Sequence, residues 1–183
     1  PPMIQVNTPY PATAYLTGFL RAHGGPDLQV LQADPAIELF LRVFSRDTLA
    51  EVLDALRERA AEMELDADFT GAPPPIAHFL RHGPAILDAI EPAIRFLQGR
   101  DPTLALRIAT GRMLPEGPRF AALRTHDTLG WAFGALGVHD RAKHLASLFV
   151  DDVADVIREG VDPRFELARY GESLAAKIGR AHV

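Results

Sequence analysis

Prolines and glycines interrupt this chain often enough to limit every regular element to a short segment. The 183 residues include 15 prolines and 14 glycines. Proline fits the first turn of a helix and glycine the residue after its last turn, so we expect both at helix ends. The pair Asp-Pro begins three apolar segments, at Asp34, Asp101 and Asp162, where it predicts a cap followed by the first helical residue.

The first 34 residues predict a strand, a helix and a second strand. Met3–Asn7 is a short apolar run that partly alternates and ends at a turn signal with two prolines. Residues 12–23 carry apolar side chains at helical spacing, and 27–32 form a second short strand with Leu28 and Val30 on one face. Strand, helix and strand within about 30 residues begin a parallel α/β unit. The expected fold class is therefore α/β, predominantly helical, with a partial Rossmann-like domain.

Beyond this unit the apolar residues recur at helical spacing. The predicted helices are 35–44, 47–63, 76–82, 85–97 with a break at Pro92, 102–111, 127–136, 140–159 and a last helix from Pro163 onward. The helix 35–44 is apolar on all sides and is expected to be buried. We expect 114–118 to be irregular, 1–46 to begin the α/β unit, and 47–176 to form a large helical elaboration.

The composition excludes several kinds of site. The chain has no cysteine, so these residues hold no disulfide, thiolate zinc site or cysteine-bound iron–sulfur cluster. No apolar run approaches the roughly 20 residues of a membrane span. The net charge of −5 argues against nonspecific nucleic-acid binding. We expect no membrane span, no nucleic-acid partner and, because no secretory signal stands at the start, a cytoplasmic location.

The last seven residues, 177–183, match a translated DNA-sequencing adapter. The codons AAG ATC GGA AGA GCA CAC GTC would encode them, and this string contains the start of a widely used adapter whose next codon in frame is a stop. The alternative is a natural basic tail. We therefore expect 177–183 to be a non-native read-through tail and the natural protein to continue beyond Ala176. Such segments are excluded from fold reasoning.

Three aspartates form the pattern Asp-Asp-x-x-Asp at Asp151, Asp152 and Asp155, within a predicted helix. Residues four apart share a helix face, and carboxylates so placed are able to hold Mg²⁺. The pattern resembles the aspartate-rich motif of class I terpene synthases, which are all-helical enzymes. The alternative is a solvated acidic face.

The histidines offer weaker candidates for metal binding. His78 and His82 have the four-residue spacing of two zinc ligands, but the sequence shows no clear third ligand. His139, Asp140 and His144 lie near one predicted helix start, where Asp140 is more simply a cap. We predict ordinary histidines in both places and assign no metal ligand.

Charge is distributed unevenly along the chain. Residues 47–68 include eight acidic and two basic side chains, whereas 95–124 include six arginines and two acidic side chains. Arginine recognises carboxylate and phosphate with two parallel hydrogen bonds. The arginine-rich stretch therefore suits a phosphate or an acidic peptide. The alternative is a solvated surface that pairs loosely with the acidic helix.

The first predicted strand-to-helix turn contains Asn7, Thr8, Pro9, Tyr10 and Thr13. Open α/β sheets bind ligands at this place, beyond the carboxyl end of a strand. The turn lacks the glycines of a phosphate loop, so dinucleotide binding is disfavoured. The alternative is a stiff proline turn without a ligand.

Five segments, taken in order, carry a family resemblance. They are Val-Asn-Thr-Pro-Tyr-Pro-Ala-Thr-Ala-Tyr-Leu-Thr-Gly-Phe-Leu-Arg (6–21), Gln-Ala-Asp (32–34), Ile-Glu-Leu-Phe-Leu-Arg-Val-Phe-Ser (37–45), Phe-Leu-Gln-Gly-Arg-Asp-Pro-Thr-Leu-Ala (96–105) and Leu-Pro-Glu-Gly-Pro-Arg-Phe (114–120). Together they resemble the N-terminal region of cobalamin-binding radical S-adenosylmethionine proteins. The similarity spans nearly all of residues 3–176.

The resemblance implies a cobalamin-binding region followed by a radical barrel domain, which would be this chain's partner. In the family, three cysteines of the barrel hold a [4Fe–4S] cluster that cleaves S-adenosylmethionine. No position here matches that motif or the Asp-x-His-x-x-Gly loop of many cobalamin proteins. The cluster and S-adenosylmethionine are thus expected only in a missing C-terminal part, and the fragment alone is expected to be inactive. Family activities include methyl transfer and natural-product tailoring, on a small-molecule or peptide substrate.

On this resemblance, Asn7, Thr8, Pro9, Tyr10 and Thr13 are the expected cofactor-binding residues. Their amide, hydroxyls and flat polar-tipped ring suit the amide-edged corrin of cobalamin better than a diphosphate. Two other functions remain open: a stand-alone helical binding module and, more distantly, a Mg²⁺-dependent terpene synthase-like enzyme. A closed helical bundle favours the first of these. Convergence of Asp151 and Asp155 with other carboxylates on one cavity favours the second.

Overall fold

A computed structural model of the protein describes residues 11–125 and 137–167, which fold into helices joined by loops. In chain order the elements are α1 (Pro11–His23), α2 (Pro35–Val43), α3 (Arg46–Glu62), α4 (Pro74–Leu97), a 3₁₀ turn (Pro102–Leu104), α5 (Ala105–Ala109), α6 (Pro118–Thr125) and α7 (Val138–Gly160). No residue in either described range lies in a strand. The described part of the protein is all-α.

The expected α/β fold is therefore wrong for the described residues. The segment 27–32 begins in a turn and contains no strand. Leu28 donates its N–H to the Gly25 carbonyl at 3.4 Å, which closes a turn and forms no ladder. Leu31 is 92% exposed. A strand requires a neighbour for its hydrogen bonds and its apolar face, and a short alternating pattern does not supply that neighbour.

The first predicted strand, Met3–Asn7, lies outside the described residues, as do the helix predicted at 127–136 and the tail 177–183. Within the described ranges, the Rossmann-like strand–helix–strand unit is reduced to α1 and the loop that follows it. The Arg21 guanidinium donates to the Val30 carbonyl at 3.1 Å and holds this loop beside α1.

Helix α4 is continuous, although the sequence predicts two helices with a further break at Pro92. Its 24 residues include Pro84 and Pro92 in the helix interior. Each proline lacks the N–H that would bond to the carbonyl four residues earlier, at a cost of about 3 kcal/mol. Eleven residues of α4 are buried. Their packing against α3 on one side and α7 on the other holds the helix together across both prolines.

The core forms around the contact between α4 and α7. Helix α3 packs against α4, α5 and α6 pack against α7, and α2 contacts α3. The largest fully buried side chains come from several helices, among them Leu49, Phe79, Phe96 and Phe149. Burial of such a side chain contributes about 1.5–3 kcal/mol, so the bundle is stabilised chiefly by apolar packing.

Local signals in the sequence set two of the helix starts. The Asp34 carboxylate accepts from the Ile37 N–H at 3.1 Å, which confirms the predicted cap of α2. Ser45 caps α3 and accepts from the Thr48 N–H at 3.2 Å. Helix α2 is less buried than expected, because Phe40 faces the core while Leu39 is exposed.

Two further predictions differ from the structure. The helix expected from Pro163 does not form in the described residues 161–167, where Arg164 binds the Asp162 carboxylate through its backbone N–H and its guanidinium. Helix α6 begins at Pro118, the last residue of the segment expected to be irregular. Among the described helices, none combines the length and apolar character needed to cross a membrane.

Pro84→Ala tests whether α4 is continuous. Pro84 is exposed, so alanine restores a backbone hydrogen bond without loss of packing, and we expect the free energy of unfolding to rise by about 1–3 kcal/mol. Urea denaturation measures the change. Pro35→Ala is the matched control, because proline is tolerated in the first turn of α2 and its removal should change stability by less than about 1 kcal/mol. Equal effects of the two substitutions would contradict a continuous α4.

Candidate functional site

Of the five residues expected to bind a cofactor, the structure describes only Thr13. Asn7, Thr8, Pro9 and Tyr10 lie outside the described residues. Thr13 is half-buried in the first turn of α1, and the Gln32 amide donates to its hydroxyl oxygen at 3.0 Å.

An apolar face of α1 is uncovered. Tyr15 is 81% exposed, Leu16 and Phe19 are each 61% exposed, and Leu20 is 42% exposed. These positions are spaced to lie on one side of a helix, and Leu28 and Leu31 add exposed apolar side chains from the following loop. We call Tyr15, Leu16, Phe19, Leu20, Leu28 and Leu31 the docking face.

Helix α1 makes at most marginal contact with the other described helices. Its polar contacts are to the adjoining loop, through Arg21 and Thr13. Within α1 the rings of Phe19 and His23 stack, with centroids 4.5 Å apart. The docking face thus lies on a helix that has at most marginal contact with the other described helices, although Thr17 of the same helix is buried. An exposed apolar face of this kind is typical of interaction surfaces.

A second candidate site lies where α6 meets α7, at the aspartates of the Asp-Asp-x-x-Asp pattern. The Arg119 guanidinium donates two hydrogen bonds to the Asp155 carboxylate, at 2.7 and 3.0 Å. Arg158 approaches the same carboxylate at 2.8 Å. A carboxylate held by two arginines is already neutralised, so Asp155 acts as a tether between α6 and α7.

Asp152 is 5% exposed and caps the first turn of α6 from α7. Its Oδ1 accepts from the Arg119 N–H at 3.0 Å, whereas its buried Oδ2 has no hydrogen-bond partner in the described residues. The carboxylate packs so closely on Gly117 that a Cβ there would lie 2.4 Å from Oδ2. Burial raises the pKa of Asp152 to about 6, and the hydrogen bond from Arg119 only partly opposes this.

Asp152 also lines a small cavity with His78 and with apolar side chains of α4 and α7, including Phe79 and Phe149. The cavity measures about 10 Å³, which is room for one water molecule. Burial, with the charges of His82 and Arg81, lowers the pKa of His78 to about 4, so its imidazole is neutral at pH 7. The site therefore offers one acceptor oxygen and one neutral imidazole.

The candidate metal ligands do not assemble into a metal site. No group of three or more His, Asp or Glu side chains in the described ranges is placed to hold a metal ion. Asp151 and Asp155 therefore do not converge with other carboxylates of the described residues on one cavity, which is the arrangement that would favour a terpene synthase-like enzyme. His78 and His82 lie side by side on α4 with ring centroids 4.7 Å apart, and His139 packs against Phe96 at 5.2 Å.

His144 is half-buried, which lowers its pKa, although the charge of Asp151 opposes the shift. Helix α7 begins after Gly137, so Asp140 is in the first turn and is not the predicted cap.

Four arginines of the arginine-rich stretch, Arg95, Arg100, Arg107 and Arg112, are exposed. No ion pair joins them to a carboxylate anywhere in the described residues, so the expected loose pairing with acidic α3 is not observed. Arg119 is different, because it binds Asp155. Nothing in the sequence distinguished Arg119 or Gly117 from their neighbours. The only local signal was the Pro-Glu-Gly-Pro turn, which contains Gly117 and is followed by Arg119.

The chain matches no protein-family model, no curated protein and no solved structure. Its class therefore follows from its own geometry. It is an all-α protein, in the described residues, with an uncovered docking face on α1 and a buried carboxylate between α6 and α7.

Asp152→Asn tests the buried carboxylate. The amide keeps the oxygen that accepts from Arg119 and removes the charge. Because the folded pKa of about 6 exceeds the ordinary 3.8, folding takes up a proton and this group's contribution to stability falls as pH rises from about 4 to 6. Relative to wild type, the variant should therefore gain on the order of 2 kcal/mol of unfolding free energy across that interval. Urea denaturation at several pH values measures the difference in unfolding free energy between the variant and wild type. His78 makes both proteins more stable as pH rises, and its contribution cancels in that difference.

Asp155→Asn is the control for that experiment. It removes a charge from the same helix but weakens the two hydrogen bonds from Arg119, so it should destabilise the protein at every pH in the interval. A difference between Asp152→Asn and wild type that does not vary with pH would contradict the assignment of the raised pKa to Asp152.

Proposed function

We propose that the chain is the N-terminal cobalamin-binding region of a radical S-adenosylmethionine enzyme that performs methyl transfer or natural-product tailoring. In this proposal the chain is a binding region, and the radical chemistry belongs to a barrel domain elsewhere in the parent protein. The ordered sequence segments support the family. The uncovered docking face supports the role, because it marks α1 as a helix that needs a partner.

The exposed apolar side chains of the docking face support this proposal on physical grounds. Exposed apolar side chains grouped on one helix are unfavourable in water, and each Å² of apolar surface that a partner covers contributes about 25 cal/mol. The bundle does not cover this face, since α1 makes at most marginal contact with the other described helices. The partner we propose is the remainder of the parent enzyme, which would cover Phe19 and Leu16 on assembly.

Thr13 connects the docking face to the proposed cofactor. It lies three and seven residues before Leu16 and Leu20, which places its hydroxyl on the edge of the same helix face. A protein segment that covers the docking face would therefore also enclose Thr13. Bound cobalamin would supply the reactive cobalt centre. Asn7, Thr8, Pro9, Tyr10 and Thr13 would hold the corrin by hydrogen bonds and ring packing.

A second candidate function is a stand-alone helical binding module. The observation that favours it is the bundle of α2–α7, which has a continuous apolar core and no strand in the described ranges. The two functions differ in the partner of α1. The first requires a further part of the same protein on the docking face, and the second requires a separate protein.

Phe19→Glu in the product of the uninterrupted gene distinguishes them. If the docking face binds the rest of the enzyme, a buried charge should weaken that interface, and the cobalamin retained after purification should fall about tenfold or more. Absorbance of bound cobalamin measures the retention. Met63→Glu is the matched control, because Met63 is 63% exposed at the end of α3 and should accept the charge without loss of cofactor.

Thr13→Ala examines the cofactor residue in the same full-length protein. It should weaken cobalamin retention and leave the thermal unfolding of the enzyme unchanged. Normal retention in both Phe19→Glu and Thr13→Ala would reject the cobalamin role of this region. If the uninterrupted gene encodes no three-cysteine motif, the parent is not a radical enzyme and the binding module is the remaining function.

A further inference from the structure

Two helices of the bundle end in the same way, and in each the first and last positions of the closing turn are arginines. At the end of α4 the Arg100 N–H donates to the Arg95 carbonyl at 2.9 Å, and the Gly99 N–H donates to the Phe96 carbonyl at 2.9 Å. Gly99 has a φ of +74°, which only glycine adopts readily. These two bonds and the positive φ define a Schellman motif, whose first and last positions lie side by side.

The end of α5 repeats this geometry. The Arg112 N–H donates to the Arg107 carbonyl at 3.0 Å, the Gly111 N–H donates to the Ile108 carbonyl at 3.0 Å, and Gly111 has a φ of +70°. The paired positions of a Schellman motif usually hold two apolar side chains that touch. Here both motifs hold arginines instead. We call Arg95 with Arg100 the first arginine fork and Arg107 with Arg112 the second.

The forks concentrate positive charge that the protein itself does not neutralise. All four side chains are exposed, and none forms an ion pair within the described residues, although the chain as a whole carries a net charge of −5. Like charges on neighbouring positions of a helix are mildly destabilising. An arrangement that places two such pairs at consecutive helix ends is suited to an anionic ligand.

Leu106, one residue before the second fork, is 63% exposed and adds an apolar surface between the two forks along the chain. The four arginines and Leu106 are exposed, and none of them lines the cavity described at Asp152. Small molecules bind mostly in concave pockets. Exposed charges that recur within one stretch of chain, with an exposed apolar side chain between them in sequence, fit an extended polypeptide better.

We propose that the two arginine forks bind an acidic polypeptide segment, with carboxylates in each fork and an apolar side chain on Leu106. Each guanidinium is able to form two parallel hydrogen bonds to a carboxylate. The net negative charge of the chain disfavours a nucleic acid as the anion, because the charge outside the forks would repel a long polyphosphate backbone. The proposal concerns the surface of α4 and α5 and does not depend on the function proposed for α1.

Fluorescence anisotropy with the full chain tests the proposal. The probe is a labelled synthetic peptide in which two pairs of glutamates flank a leucine, and the reference peptide has glutamines in their place. We expect the glutamate peptide alone to bind, and binding to weaken as salt is added. Arg95→Gln/Arg100→Gln and Arg107→Gln/Arg112→Gln should each lower the affinity about tenfold or more.

Arg42→Gln/Arg57→Gln is the matched control, because it removes the same charge from exposed positions on α2 and α3. It should leave the affinity within about twofold of wild type. Gly99→Ala tests the geometry, since it keeps all four arginines and strains the turn that pairs the first fork. It should weaken binding while circular dichroism shows that the helices remain.

Several results would overturn the proposal. They are no binding of the glutamate peptide, equal loss in the control double variant, or full binding by a folded Gly99→Ala protein. Inorganic polyphosphate bound by the forks in preference to the peptide would replace the polypeptide with a phosphate ligand. Self-association abolished by the fork variants, without peptide binding, would assign the forks to the acidic α3 of a second copy.

Discussion

The apolar contact between α4 and α7 is the interaction on which the other helices depend. Helix α4 keeps its helical path through two internal prolines because its buried residues are packed from both sides. Helix α3 attaches to this pair through α4, and α5 and α6 attach through α7. The cost of the prolines is offset by burial of large side chains such as Phe79 and Phe149, which no local signal near the prolines reveals.

Polar groups then fix how the smaller helices sit on this pair. Arg119 binds Asp155 through its side chain and Asp152 through its backbone, so one residue fastens the start of α6 at two points. Within the described residues one buried oxygen of Asp152 has no hydrogen-bond partner, and burial of the carboxylate raises its pKa. The Arg119–Asp155 contact and the raised pKa of Asp152 have the same origin, because both follow from the close packing of α6 against the aspartates of α7.

The sequence predicted well what depends on neighbouring residues and poorly what depends on distant ones. The cap at Asp34 and the termination near Gly111 follow from local side chains and glycine conformation, and the structure contains both. The continuous α4, the unpaired segment 27–32 and the Arg119–Asp155 contact depend on partners elsewhere in the fold. Arg119 and Asp155 are 36 residues apart, and nothing in a single sequence ties one to the other. The arginine-rich stretch is likewise visible in the sequence, whereas its arrangement in two forks depends on the backbone geometry of the two helix ends.

The failure of the predicted strand and the exposure of the docking face have one physical explanation. The apolar pattern around Leu28 and that of α1 each predict a face that is covered, the first in a strand and the second in a helix of one α/β unit. In the structure they lie side by side, yet Phe19 and Leu31 remain exposed, so neither element supplies the surface that the other lacks. A pattern of this kind specifies that a face will be covered without specifying by what. The bundle of α2–α7 buries a continuous apolar core and exposes apolar side chains such as Leu39 and Leu106 only in places, whereas α1 and its loop expose a whole apolar face that none of the described helices covers.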